Sequence, residues 1–363
     1  MRSPRRSETR KRAAFLYTAD WSHEFADYAA GRVPAHRLFG AAYLADHGVD
    51  VVRPTWGNVP LRLRHRQFWK VWQSLAVLRL RPDNVVATTE ASALVSLLLR
   101  WLFRGAVPIV VFSVASLGDR YLVGATGGLR RFLLRRADLV VVFADYQRAL
   151  MVERLKIDGD RLRFVPFGVD NEFFAPAESE KKWDVVAAGT NEAKDYPTLL
   201  RALRAEQTCL IATDSGNRAR IDATPTAGAI TVREHVPIAE LRQLYLSATW
   251  CVIPLEDVNY SSGQTVLLEM MASGCAIVVS DVRALRDYVG VESGVLRVPP
   301  GDTEALADAL AGRSESDGVA VHVAAAKFSA RRFSHTIADC LAELDRLPGG
   351  AGRAQLEYVR EPS

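Results

Sequence analysis

Short apolar runs rich in Val, Ile and Leu alternate along the chain with longer segments whose apolar positions recur at helical spacing. The runs at 13–17, 50–53, 84–87, 108–112, 138–143 and 161–166 read as strands with room for a helix between them. Parallel strands need long crossovers and, when covered on both faces, are apolar throughout, so this alternation predicts a parallel sheet between helical layers. The pattern breaks over 167–182, a stretch rich in Pro, Gly and charge that reads as a linker. It restarts with strand candidates at 183–188, 208–212, 229–232, 249–254, 276–280 and 294–298. The expected fold is α/β, with two doubly wound, Rossmann-like domains facing a central cleft, where ligands of open α/β sheets bind. The organisation is then a basic flexible leader over 1–12, a first domain over 13–167, a hinge over 168–182 and a second domain over 183–320. A final helix over 321–347 is expected to pack back on the first domain, ahead of a loose tail over 348–363.

Length agrees with two domains, since 363 residues exceed one typical core. Charge adds an asymmetry. Residues 1–170 carry 27 basic and 15 acidic side chains, a net of +12, whereas the remainder is acidic. The four cysteines, Cys209, Cys251, Cys275 and Cys340, have no CxxC pairing and no zinc-like His spacing, so they read as reduced core thiols of a cytoplasmic protein. The apolar run after the leader is too short for a signal peptide, and the longest uncharged stretch, 105–118, is too short to span a bilayer. The basic and aromatic stretch 62–72 has two readings: peripheral contact with an anionic membrane, or a helix whose Phe68, Trp72, Leu75 and Leu78 face the sheet while its arginines stay in water. The second is preferred. Arg130, Arg131, Arg135 and Arg136 repeat the ambiguity. Nucleic acid is not expected as a partner, because no reading motif accompanies these charges.

The segment richest in chemistry is Ser261-Ser-Gly-Gln-Thr-Val-Leu-Leu-Glu269-Met-Met-Ala-Ser-Gly274. Ser261 and Ser262 are suitable N-caps, Val266 to Met271 have helical character, and Gly274 suits the residue past a helix end. A helix starting after a strand at the cleft edge presents unpaired N–H groups and the positive end of its dipole, which suits a diphosphate. Glu269 lies within that helix, where a carboxylate can accept hydrogen bonds from two vicinal hydroxyls; a plain solvent-facing Glu is the alternative. Asp158-Gly-Asp160 has DxD form but reads as turn chemistry, and no metal site is expected. His36 and Arg37, after the first strand, are candidates for phosphate contact, with a surface pair as the alternative.

The 261–274 segment, with Val278-Val-Ser-Asp281 after it, resembles the signature of family 4 (group 1) retaining glycosyltransferases of the GT-B fold, in which a Glu, seven residues and a second Glu precede Met-Ala-x-Gly. The second Glu falls on Glu269. Pro166-Phe-Gly-Val-Asp170 with Phe174 and Pro176 is similar to that family's hinge, and Ala137-Asp138 to the start of its last first-domain strand. Gly189 through Lys194, with Leu199 and Ala202, resembles its donor-phosphate loop. Three positions depart: Ser261 stands at the first Glu, Thr190 where an Arg often follows the glycine, and the residues 113–116 where a His often follows the fourth strand.

The resemblance implies a glycosyltransferase that moves a sugar from a nucleotide-sugar donor, UDP- or GDP-linked, to an acceptor hydroxyl with retention and without a metal or other cofactor. It puts the acceptor on the first domain and the donor on the second, at Gly189, Thr190, Asn191, Lys194, Ser261, Ser262, Gly263, Gln264, Thr265 and Glu269. His36, Lys194 and Glu269 are the expected catalytic residues, and His36 and Arg37 the expected acceptor contacts. The acceptor class is a glycan, a lipid-linked intermediate or a small natural product. Two other functions stay open: a non-hydrolysing nucleotide-sugar epimerase, and a catalytically silent glycosyltransferase-like partner subunit.

Overall fold

The computed structural model describes residues 10–57, 59, 64–105, 107–118, 121, 126–290, 293–312 and 318–344. Most of the basic leader, the tail, residues 313–317 and Arg62 of the basic stretch lie outside the described residues.

Two six-stranded parallel sheets form the frame, in the orders β2-β1-β3-β4-β5-β6 and β12-β11-β10-β7-β8-β9. The first is built from β1 (Lys11–Leu16), β2 (Val49–Val52), β3 (Asn84–Ala87), β4 (Ile109–Ser113), β5 (Leu139–Val142) and β6 (Leu162–Phe164). The second comprises β7 (Trp183–Ala188), β8 (Thr208–Thr213), β9 (Ala229–Glu234), β10 (Ala248–Ile253), β11 (Ile277–Ser280) and β12 (Leu296–Val298). The twelve strands coincide with the expected runs to within a few residues, because central strands such as β3, β4 and β5 are buried along their whole length and are apolar except at the end residues Asn84 and Ser113. Lys11 and Arg12 belong to β1 and not to a leader: they pair with Val49 and Asp50, and the Arg12 N–H donates to Asp83.

Around the first sheet lie α1 (Ser22–Ala29), α2 (Arg66–Leu80), α3 (Glu90–Phe103), α4 (Gly127–Leu134) and α5 (Tyr146–Leu150). The second carries α6 (Tyr196–Ala202), α7 (Ser215–Asp222), α8 (Ile238–Leu246), α9 (Gln264–Ala272) and α10 (Thr303–Ala311), followed by α11 (Gly318–Ala325) and α12 (Ala330–Leu344). Each strand order reverses near β1 or β7, so each domain has a crevice at its strand C-termini.

Two expectations are corrected. Helix α2 buries Trp69, Gln73, Ser74 and Val77, leaving Phe68, Leu75 and Leu78 exposed and Trp72 half-buried. Polar groups determine that face: Gln73 donates to the Tyr17 carbonyl and accepts from the Tyr17 N–H, Trp69 Nε1 donates to the same carbonyl, and Ser96 donates to Ser74. The single final helix is two. The chain turns extended at Ser329, because the hinge residue Val169 takes the Ala330 N–H on its carbonyl and gives its own N–H to Phe328. Beyond that break α12 packs against the turn Ala41–His47 of the first domain, with Ser334 donating to the Gly40 carbonyl. All four cysteines are buried free thiols.

Candidate active site in the interdomain cleft

The strand C-termini of the two sheets face each other across a cleft of about 430 Å³. Arg37, Phe39, Val114, Phe143 and Phe167 line it from the first domain; Gly189, Thr190, Asn191, Lys194, the residues 261–266 and Glu269 line it from the second. All ten expected donor-side residues therefore meet at one place.

Two loops build the second-domain wall. The chain leaving β7 turns at Gly189, whose φ of +129° and whose contact with Lys194 exclude a side chain: a Cβ there would lie 2.2 Å from Lys194 Cε. The Gly189 carbonyl accepts from Tyr196 Oη and Thr213 Oγ1, both at 2.7 Å, which fixes the turn. The loop then folds back so that Lys194 lies under it, fully buried, with no hydrogen-bond partner for Nζ among the described residues. Burial pushes the ammonium down to about 7, against a smaller opposing pull from Glu269. A buried amine without a partner is costly, which makes this position a candidate for an anion.

The second loop follows β10 and starts α9. Gly263, not Ser261 or Ser262, is the N-cap, with φ of +88°, and no side chain caps the helix. A Cβ at Gly263 would lie 2.6 Å from Leu255, so serine chemistry is excluded at the cap by packing as well as by dihedral. The uncapped first turn leaves its N–H groups free toward the cleft. Ser262 Oγ is buried beside them without a partner, and Ser261 Oγ donates across the domain boundary to Gln147 Oε1 at 3.2 Å. Gly274, with φ of +67°, closes α9 as the sequence suggests.

Glu269 is not solvent-facing. It is buried, with Oε1 3.2 Å from His36 Nε2 and Oε2 accepting from Tyr245 Oη at 3.1 Å. His36 Nδ1 accepts the Asp170 N–H at 3.2 Å, so Nε2 carries the proton and donates to Glu269. Asp170 in turn takes the Ala35 N–H at 2.8 Å, tying the turn Ala35–Leu38 to the hinge. His36 is therefore a buried link between domains and not among the side chains lining the cleft, a correction to its expected acceptor contact. Arg37 does line the cleft, paired with Glu24 at 2.6 Å. Asp158 caps a turn by accepting the Asp160 N–H, and among the described residues no cluster of His, Cys, Asp or Glu has metal-binding form.

Sequence reasoning did not find the apolar end of the cleft. His235, in the left-handed region with φ of +54°, Val236, Ile238 and Leu241 line it. Only the backbone strain at His235 would have been a signal, and it is invisible in sequence.

Residues 184–313, within the second domain, match the sequence family described as Glycosyl transferases group 1. No curated protein matches the chain. The fold is that of GT-B glycosyltransferases. Sucrose-phosphate synthase from Thermosynechococcus elongatus is 18% identical with a TM-score of 0.70, over 92% of this chain and 99% of that one. HepE from Anabaena, in complex with UDP-glucose, is 15% identical with a TM-score of 0.69 over the same 92% and 99%. A trehalose-6-phosphate synthase, studied for glycosyl transfer with retention through bisubstrate glycomimetics, is 13% identical with a TM-score of 0.63, again over 92% and 99%.

Proposed function

We propose that the protein transfers a sugar from a nucleotide-sugar donor, held by the second domain, to a hydroxyl of an acceptor held against the first. The observation carrying this reading is the buried, partnerless Lys194 ammonium beside the uncapped start of α9, two positive features converging on one cleft. A diphosphate lying there receives charge-assisted bonds from Lys194 and from first-turn N–H groups, with Ser262 and Thr265 beside them. Glu269, whose oxygens each keep a free lone pair after bonding His36 and Tyr245, accepts ribose hydroxyls. A flat base lies against Val236, Ile238 and Leu241. The UDP-glucose bound by the similar HepE makes it the first donor to try.

In the reaction the bond from the anomeric carbon to the diphosphate breaks and the acceptor oxygen bonds that carbon from the same face, with retention. The acceptor proton passes to the leaving phosphate oxygen. Negative charge grows on the diphosphate as the sugar becomes oxocarbenium-like, and Lys194 and α9 stabilise it there without a metal. Arg37 contacts the acceptor.

A thermal-shift screen of UDP, GDP, ADP and TDP tests the donor site, since a ligand selective for the folded state raises its stability with occupancy. One nucleotide raising the midpoint, and the matching nucleotide sugar releasing its diphosphate only with an acceptor present, support the reading. No shift with any of the four sinks it. Ser261 favours one competing reading, a donor-binding chain that is silent alone, because its hydroxyl is engaged by Gln147 where the resemblance implies a carboxylate. Turnover by the isolated chain would exclude that alternative.

A further inference from the structure

Helices α2, α3 and α4 are successive crossovers of β2-α2-β3-α3-β4-α4-β5, all advancing in one direction across the first sheet, so right-handedness puts them in one layer. Their C-terminal ends lie together, with α2 packed on α3 and α3 on α4. At that end the layer exposes large apolar side chains to water: Leu75 and Leu78 of α2, the latter 65% exposed, and Trp101, Leu102 and Phe103 of α3, with Phe103 at 74%. Single exposed apolar residues are ordinary, but a group of five on adjoining helix ends is a surface awaiting a partner.

The surrounding charge states which partner. Residues 60–136 hold 13 basic and 3 acidic side chains, so most of the +12 of the first half resides in this segment. Arg79, Arg81, Arg104 and Arg135 are exposed around the apolar group, and the Arg136 guanidinium sits 3.5 Å above the Phe132 ring, which meets Trp101 edge-on. The acids offset one arginine of the segment: Asp138, just beyond it, pairs with Arg100, whereas Glu90 is buried and takes the N–H groups of Ala115 and Ser116, Asp83 takes the Arg12 N–H, and Asp119 lies outside the described residues.

We propose that this end of the α2–α3–α4 layer docks on an anionic lipid bilayer, with the leucines and aromatics entering the interface and the arginines meeting headgroup phosphates. A second copy of the chain is disfavoured, because two such faces would bring like charge together. A nucleic acid would leave the leucines in water. The surface lies outside the cleft and does not depend on the sugar chemistry.

Flotation with phosphatidylcholine vesicles, with and without phosphatidylglycerol, tests the proposal on the full chain. The protein should float with the anionic vesicles only and detach as salt rises. The triple variant Leu75→Ser, Leu78→Ser, Phe103→Ser should bind about tenfold or more weakly. A second variant, Arg79→Glu with Arg104→Glu, should do the same through charge alone. All five positions are exposed, so both variants should keep the parent's thermal midpoint and nucleotide response, and loss of nucleotide binding in the parent would count against the donor site and not against this surface. No flotation, equal flotation with neutral vesicles, variants that float like the parent, or a parent dimer that these variants dissociate would overturn it.

Discussion

The two walls of the cleft are built on opposite principles. On the second domain, polar groups are buried and left without partners: Lys194 Nζ, Ser262 Oγ and the first turn of α9. On the first domain, the charged groups nearest the cleft are held in pairs, His36 with Glu269 and Asp170, and Arg37 with Glu24, although Arg37 Nε, Glu24 Oε2 and Gln147 Nε2 are themselves buried without a partner among the described residues. Unsatisfied groups cost stability, so a fold retains them where a ligand completes them. Under the proposed function the donor wall is preformed, whereas the acceptor wall exchanges the Arg37–Glu24 contact for an external one before Arg37 is free.

Glu269 belongs to both walls, and its removal should have the largest effect. Glu269→Ala takes the acceptor away from His36 Nε2 and Tyr245 Oη and leaves both buried, so it should destabilise the fold by about 2–4 kcal/mol and weaken nucleoside diphosphate binding roughly 100-fold. Paired denaturation and calorimetry would read the two effects; retention of both properties would remove Glu269 from the site. Lys194→Met separates them. It should weaken diphosphate binding by about 10- to 100-fold while raising the thermal midpoint, because it replaces a buried, unpartnered ammonium by an apolar side chain of similar length. A lowered midpoint would mean that Lys194 holds the fold together and does not await an anion.

The pH dependence follows from the same residue. Its ammonium lies at about 7 in the fold against 10.5 in its ordinary state, so between these values the unfolded chain holds a proton that the folded chain has released. Stability of the empty protein from this group is therefore lowest below pH 7 and rises with pH across that window. An anion reverses the preference, so affinity should fall toward high pH. The smallest effect belongs to the acceptor wall: Arg37→Ala should leave diphosphate affinity within about twofold while raising the acceptor KM, and a large loss of donor affinity would erase the contrast between the walls.

Much of this was legible in the sequence, for identifiable reasons. Strands such as β4 and β11 are buried on both faces and show as unbroken apolar runs, and the 261–274 segment combines a cap-region glycine, an apolar helix and a closing glycine at local spacing. What failed depends on groups distant in the chain. The buried face of α2 is set by Gln73 bonding Tyr17, which apolar periodicity reads as a surface position. The break at Ser329 is made by the backbone of Val169, and the Glu269 environment by Tyr245 and His36, far apart in sequence. His36, expected as an acceptor contact, is instead buried between Asp170 of the hinge and Glu269.

The central claim is that an anion completes the buried Lys194 site, and calorimetry of a nucleoside diphosphate binding tests it most directly. The titration is run above pH 7 in buffers of different ionisation enthalpy. The account predicts that the parent takes up close to one proton on binding and that Lys194→Met takes up none. Binding by the parent without proton uptake, or the same uptake by the variant, would contradict it.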